Sequence, residues 1–381
     1  MTGGGSGGHI TPLLSLAREI KSQQPGCQVI YVGHKGDDFD SLKSQTANFD
    51  FLAFINAGKF RRYHGEGIAA LFDFKTLGLN IRDFFRLPGS IFSSYRLMRR
   101  FKPNVVFSKG GFVAVPVGVA ARLSGVPIIT HDSDSVPGLA NRIVGRWAKV
   151  HATGMPAEYY TYPKGTIEHV GIPIDERIKK VTPKIMAECR KKLGLPAAGS
   201  VLLLSGGGNG SVRLNELLLA VAKNLLEADL SLHILHVTGR SHQQTVKDAY
   251  RQKLPKAELE RVAVEGFTPD FYAYTAAADL VVTRAGATTL AELAAQGKAC
   301  VIIPSPFLTG GHQLKNAQQL AEAGAAVVAD ETIEPDEFLV IVNELLSNDR
   351  RRFELAKNLY AAAKPDAAAR LAEIIIQRAK E

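Results

Sequence analysis

Cysteine is scarce in this 381-residue chain. Cys27, Cys189 and Cys300 are odd in number, far apart and in no Cys-x-x-Cys pair. That argues against a disulfide framework or a cysteine zinc site and for a reducing cytoplasm. Long apolar runs are missing too. The purest stretch, 112–120, is interrupted by Pro116 and Gly118, whereas a membrane-spanning helix needs about 18 apolar residues. The opening Met-Thr-Gly-Gly-Gly lacks the basic and apolar segments of a secretory leader. The ten histidines form no His-x-x-x-His or His-Glu-x-x-His, so no metal site and no metal cofactor are expected. Acidic residues are short in one half only. Residues 1–170 carry 20 Lys/Arg against 12 Asp/Glu, and residues 171–381 carry 26 against 25. A basic half beside a neutral one points to an anionic partner for the first half.

The length fits two or three domains. Apolar, β-rich runs at 28–32, 51–55, 104–108, 127–130, 166–170, 200–205, 231–237, 279–283 and 299–303 alternate with helical patterns, among them 12–24, 113–124, 212–227, 287–296 and 312–323. This βαβ rhythm predicts α/β architecture with parallel sheets. Gly171-Ile172-Pro173-Ile174-Asp175 marks the break, and a fresh strand opens at Val201. The expectation is two Rossmann-like domains facing a cleft, 1–170 and 171–355, then a helical, Ala-rich end broken at Pro365. A glycine loop of the kind at Gly3 normally follows a buried strand, so the first strand of the N-terminal domain is expected to be missing.

Five segments carry chemistry. Gly3-Gly4-Gly5-Ser6-Gly7-Gly8-His9 precedes a helix with Pro12 near its start. Such a loop lets backbone N–H groups and the helix dipole meet an anion. It also matches Gly-x-Gly-x-x-Gly and Gly-x-Ser-x-Gly, but the second strand ends Gly33-His34-Lys35 without the acid a dinucleotide site wants. His9, at the loop's end, suits a general base. Ser108-Lys109-Gly110-Gly111-Phe112 repeats the strand–glycine–helix design, or is an ordinary turn. Gly206-Gly207-Gly208-Asn209-Gly210-Ser211 is a second anion-binding helix entrance. In Arg284–Glu292, Glu292 lies one turn into a helix; it suits a ribose diol, or is a dipole partner. Gln313 and Asn316 share a helix face and suit sugar hydroxyls. Asp132 and Asp134 form an Asp-x-Asp, but at a strand end in the basic half.

Residues 59–102 hold ten Lys/Arg, three acids and nine aromatics. Basic and apolar residues so mixed fit an anionic membrane interface. Single-stranded nucleic acid and a buried helix with a solvated basic face are the competing readings, the first of them weak.

Taken in order, Gly4–His9 with Pro12, Gly110–Phe112, His131–Asp134, Gly206–Asn215, and Arg284–Glu292 with Gln313 and Asn316 resemble the MurG family across nearly the whole chain. These are GT-B enzymes of glycosyltransferase family 28 that add N-acetylglucosamine to undecaprenyl-linked N-acetylmuramyl-pentapeptide in peptidoglycan synthesis. The resemblance implies an inverting transfer with no covalent intermediate and with His9 as base. UDP-N-acetylglucosamine would meet Phe267 and Thr268 (uracil), Glu292 (ribose), Ala287, Thr288, Thr289, Leu290 and Ala291 (diphosphate and sugar) and Gln313 and Asn316 (sugar). Ser6, Gly7, Gly8, Asp134, Asp175, Gly208 and Asn209 complete the donor set. Gly4, Gly5, Gly110, Gly111 and Phe112 would cradle the acceptor diphosphate. It further implies a peripheral protein on the cytoplasmic face of the membrane, held there by 59–102, with cell-wall synthesis proteins as partners and no nucleic acid. The C-terminal helix, 356–381, would pack back on the N-terminal domain. Three positions depart from the family pattern. Its phosphate-facing Arg is Asp175, with Arg177 as a stand-in. A usual hydroxyl is Gly208, and a usual Asn is Asp134. The alternatives are a related GT-B enzyme acting on another lipid, a UDP-sugar epimerase, a non-catalytic binding module and a Rossmann oxidoreductase. The basic aromatic stretch speaks against the epimerase, and His9, Glu292 and Gln313 against the binding module. The missing acid speaks against the oxidoreductase.

Overall fold

A computed structural model describes residues 1–3, 7–35, 48–59, 74–307 and 311–381, without the side chains of 7–10 and 74–77. The chain forms two compact units, 1–176 with 364–381, and 177–363. The boundaries placed by sequence at 170/171 and 355/356 thus fall at 176/177 and 363/364.

Unit 1 holds β1 (Ile30–His34), β2 (Phe51–Ile55), β3 (Val106–Ser108), β4 (Ile128–Asp132), β5 (Ala148–Thr153) and β6 (Ile167–His169). The pairs β1–β2, β3–β4, β4–β5 and β5–β6 are all parallel. Thr2 joins the two sets, bridging in parallel to Val32 of β1 and Ser108 of β3. Its N–H donates to Phe107 O (2.9 Å), and its carbonyl accepts from Lys109 N (2.9 Å). The place of the strand expected to be missing is therefore taken by Met1 and Thr2. The spatial order is β2-β1-Thr2-β3-β4-β5-β6. Strand alternation sends Tyr31, Phe107 and Ile129 to one face and Val32, Val106 and Ile128 to the other. The first face is covered by α1 (Gly7–Gln23) and by the final helix α14 (Ala367–Lys380), which supplies Leu371, Ala372 and Ile375. The second is covered by α2 (Phe74–Phe101), α3 (Ala114–Leu123) and α4 (Leu139–Val144).

Unit 2 has a six-stranded parallel sheet ordered β12-β11-β10-β7-β8-β9. Its strands are β7 (Val201–Ser205), β8 (His233–Val237), β9 (Val262–Glu265), β10 (Leu280–Thr283), β11 (Cys300–Ile302) and β12 (Val327–Val328). This is the doubly wound 3-2-1-4-5-6 order. Leu202, Leu204, Val282 and Val301 face one core, and Leu203, Val281, Cys300 and Ile302 the other. Helices α5 (Pro183–Lys192), α6 (Val212–Ala228), α7 (Gln243–Lys253), α8 (Lys256–Leu259), α9 (Phe271–Ala277), α10 (Ala287–Gln296) and α11 (His312–Glu322) follow, then α12 (Pro335–Ser347) and α13 (Asp349–Ala361).

Three strands, β5, β9 and β12, escaped the sequence reading. β5 opens Ala148-Lys149-Val150-His151, and its polar residues blur the apolar signal. Helix α1 starts at Gly7, so Pro12 lies inside it rather than at its start. There it leaves the carbonyl of Gly8 without its i→i−4 partner, an interior cost that a proline at the helix start would not carry.

Candidate active site

In open parallel sheets, ligands bind beyond the carboxyl ends of the strands where the order reverses, because neighbouring loops there diverge. In unit 1 that point lies between Thr2 and β3. The loop after Thr2 is the first glycine run. Gly4, Gly5 and Ser6 lie outside the described residues. Gly7, Gly8 and His9 form the first turn of α1.

The loop after β3 carries Gly110 (φ +92°) and Gly111 (φ +79°), backbone angles that favour glycine. Ser108 Oγ accepts from Gly110 N (3.2 Å) and donates to Asn141 Oδ1 (2.9 Å). Asn141 in turn donates to His131 O (2.9 Å) and Asp132 Oδ1 (3.0 Å). Tyr162 OH donates to the other Asp132 oxygen (2.8 Å), and Tyr160 OH to Asp134 O (2.8 Å). Phe112 meets His34 edge-on, ring centroids 5.0 Å apart.

The turn that carries half-buried Asp134 is thus fixed by two tyrosines and an asparagine, none of which the sequence flagged. Burial pushes the Asp132 carboxyl up, opposed by Asn141 and Tyr162. Burial also holds His131 well below its usual range, with Lys109 adding to the effect. His131 pairs through Nε2 with Gly171 O (2.8 Å). Asp175 closes unit 1, half-buried.

In unit 2 the order reverses between β7 and β10, and the two loops singled out by sequence leave from there. After β7 come Gly206, Gly207 (φ +84°), Gly208, Asn209 and Gly210 (φ +76°). A side chain at Gly210 would run into the carbonyl of Thr238. Ser211 caps α6, accepting from Leu214 N (3.3 Å). Gly208 and Asn209 stand exposed at the tip.

After β10, Arg284 binds Ser211 Oγ (2.7 Å), Ile303 O (2.9 Å) and the carboxylate of Glu331 (2.8 Å to Oε1). One guanidinium therefore ties the two loops together. Glu331 lies far from Arg284 in sequence, and nothing in the pattern announced it. Helix α10 begins with Ala287, Thr288 and Thr289, and its N-cap Gly286 supplies no side-chain cap. Its first N–H groups therefore have neither an intrahelical partner nor a side-chain cap among the described residues. Ala287 and Leu290 are buried, while Thr288, Thr289, Ala291 and Glu292 are half-buried on the opening turns.

Gln313 and Asn316 are buried. Gln313 Oε1 accepts from Ser305 N (2.9 Å), and Asn316 Nδ2 donates to Ala285 O (3.2 Å). Both amides brace the loops around α10. Phe267 is exposed and carries the Arg240 guanidinium 4.4 Å above its ring. Thr268 Oγ1 accepts from Asp270 N (3.1 Å). Arg177 is engaged by Asp270 (3.4 Å) and lies 4.5 Å over the Tyr272 ring. Among the described residues no group of three or more His, Cys, Asp or Glu stands close enough to hold a metal.

Two switch points, each with a glycine loop and a helix entrance, suit a phosphate-bearing ligand in either unit. Comparisons with known proteins agree. Residues 1–153 match the glycosyltransferase family 28 N-terminal domain and residues 201–371 its C-terminal domain. A UDP-N-acetylglucosamine–N-acetylmuramyl-(pentapeptide) pyrophosphoryl-undecaprenol N-acetylglucosamine transferase of Bacillus cytotoxicus is 31% identical, over 100% of this chain and 99% of its own. One of the same name from Natranaerobius thermophilus is 30% identical over 98% of each. The crystal structure of Acinetobacter baumannii MurG superposes with a TM-score of 0.70 at 27% identity, covering 99% of this chain and 98% of that one. Full-length similarity of this kind, on a fold with both strand-order reversals in place, means that the chain belongs to glycosyltransferase family 28 and, within it, to the MurG family.

Proposed function

We propose that this chain transfers N-acetylglucosamine from UDP-N-acetylglucosamine to the muramyl 4-hydroxyl of undecaprenyl-pyrophosphoryl-N-acetylmuramyl-pentapeptide. The observation that carries this is the 30–31% identity, end to end, with transferases of that name. Unit 2 takes the donor. Phe267 and Thr268 meet the base, Glu292 the ribose, and Ala287–Ala291 with Gly208 and Asn209 the diphosphate and sugar. Gln313 and Asn316 hold the loops that shape the sugar pocket. Gly110, Gly111 and Phe112, with Gly4 and Gly5, receive the acceptor diphosphate on unit 1. Asp134 and Asp175 stand at the edges that the resemblance assigns to the donor, together with Ser6, Gly7 and Gly8. His9 takes the proton of the 4-hydroxyl as its oxygen attacks the anomeric carbon, and UDP leaves with the bond electrons. The dipole and free N–H groups of α10 stabilise that leaving diphosphate without a metal or other cofactor.

The acceptor is lipid-linked, so the enzyme works at a membrane surface. No helix among the described residues is long and apolar enough to cross a membrane. Helix α2 offers a docking face instead. Phe84, Phe85 and Phe92 are 60%, 75% and 62% exposed, and Leu123 of α3, 66% exposed, lines one groove with Phe84 and Phe92. Arg82, Arg96, Arg99 and Arg100 stand exposed along the helix. Aromatics able to enter the interface, beside arginines able to meet acidic headgroups, support a peripheral attachment, which the proposed reaction puts on the cytoplasmic face.

The test is transfer of label from UDP-N-acetylglucosamine to a short-chain lipid-linked muramyl acceptor. Wild type is expected to transfer and His9→Ala to lose transfer while still binding UDP-sugar. Release of free N-acetylmannosamine would mean an epimerase, and donor binding without transfer a binding module.

A further inference from the structure

A buried positive charge lies at the unit 1 switch point. Lys109 follows β3 and is 4% exposed. Its side chain reaches the turn after β4, where Nζ donates to Ser133 Oγ at 2.6 Å. This is the one hydrogen bond of the ammonium among the described residues. Asp132 and Asp134 lie within electrostatic reach, but Asp132 is satisfied by Asn141, Tyr162 and Gly138 N (3.3 Å).

Ser133 is half-buried. Its oxygen is taken by Lys109, so its own hydrogen must point elsewhere, and no acceptor for it is present among the described residues. A hydroxyl that accepts from an ammonium is polarised into a stronger donor. The same edge carries the Gly110–Gly111 turn and the start of α3, which has no side-chain cap.

We infer that Lys109 and Ser133 form a relay that binds the diphosphate of the acceptor: Ser133 donates its hydroxyl hydrogen to a phosphate oxygen, and Lys109 supplies the positive charge behind it. This rests on the proposed function, and adds to it two residues the sequence left without a role. It also explains why a buried ammonium is tolerated where two carboxylates would otherwise repel an anionic substrate. Lys109 acts through Ser133 and is a positioning residue.

Burial lowers the Lys109 ammonium to about 8, opposed by Asp132 and Asp134. The other groups that face it move away from that range. His131, on β4, is held well below its usual value. Tyr160 and Tyr162, beyond β5, are pushed upward by burial and by Asp132.

The experiment is calorimetric titration with a short-chain prenyl-diphosphate muramyl-pentapeptide, alongside UDP-N-acetylglucosamine as a control. Ser133→Ala and Lys109→Met are expected to weaken acceptor binding about 10-fold or more, as for a lost charge-assisted bond. Donor affinity and melting temperature should hold, and Ser133→Thr should restore the acceptor. Wild-type acceptor affinity should fall as pH rises through about 8, and Lys109→Met should show no such limb. Unchanged acceptor affinity in Ser133→Ala overturns the relay. So does equal loss of donor binding and melting temperature, which marks a merely structural role. Binding with this pattern but without transfer by wild type leaves the relay standing and overturns the proposed function. Transfer by wild type with no effect at Ser133 does the reverse.

Discussion

The two units solve one topological problem with different chemistry. Each has parallel strands wound outward from a central pair, and each presents two loops where the order reverses. In unit 2 the loops are tied by a side-chain ion pair. Arg284 and Glu331, with side chains only 11% and 15% exposed, span from β10 to the N-cap of α6. In unit 1 the corresponding edge is held mainly by neutral donors: Ser108 binds Asn141, Asn141 and Tyr162 bind the buried Asp132 carboxylate, and Tyr160 binds the Asp134 carbonyl, with the buried Lys109 ammonium on Ser133. The charge balance differs in the same sense. The basic excess of the chain sits almost wholly before residue 171. A soluble nucleotide sugar needs a rigid pocket, whereas a substrate anchored in an acidic membrane needs attraction at a surface. Under the proposed function, rigidity lies on the donor side and charge on the acceptor side.

The sharpest way to break this comparison is at His9. If unit 1 supplies the base, His9→Ala lowers kcat by about 10²–10⁴-fold and leaves UDP-sugar affinity intact; a donor defect would move His9 to the other side of the ledger. Next comes the clamp. Arg284→Ala leaves Glu331 buried without its partner and should cost about 3–5 kcal/mol of unit 2 stability. Donor affinity should fall with it, and acceptor binding should not, as read by denaturant melts and titration. Gly210→Ala should cost about 1–3 kcal/mol or more, since it forces a left-handed alanine against the Thr238 carbonyl. A donor site unmoved by it would show that this loop does not shape the pocket.

Phe84→Ser with Phe92→Ser should weaken binding to acidic vesicles by about 10-fold or more, given about 1.5–3 kcal/mol per fully inserted side chain. Transfer to a water-soluble acceptor should be untouched. If wild type binds neutral vesicles as tightly as acidic ones, the arginines contribute little.

Acid sensitivity is the property in which the units should behave alike. Burial holds His131 well below its usual value and His236 at about 3. His236 sits between Tyr250 OH and Asn215 Oδ1, each at 3.0 Å. A depressed histidine stabilises the fold fully above pH 6.5, and that contribution is lost as pH falls toward the folded value. At pH 5 His236 should have lost about 2 kcal/mol, and His131 a contribution of the same sign. Melting curves of His236→Gln should show a shallower acid slope than wild type.

Much of this was legible in the chain. The glycine runs, their places after strands and the helix starts at 212, 287 and 312 came out at the positions that periodicity gave them. Those signals are local: a buried parallel strand must be apolar, and a tight turn onto a helix must be glycine-rich. β5 was missed because its first residues are polar, and the bounds of α2 were not drawn within 59–102, where Pro88 and Gly89 interrupt the helix. The bracing roles of Asn316 and Gln313 were also invisible. An amide that braces a loop and an amide that reads a sugar look the same in sequence.

By itself the sequence determined the class of protein, the two-fold repetition of glycine loops, and the segregation of charge. These depend on composition and on spacing within one element. Only the tertiary structure decided that Met1 and Thr2 stand between β1 and β3, that Glu331 closes on Arg284, and that Lys109 ends on Ser133. Each of these pairs residues far apart in the chain. Their meeting follows from the order in which strands stack, and a parallel sheet stacks its strands through crossovers whose partners no local pattern names.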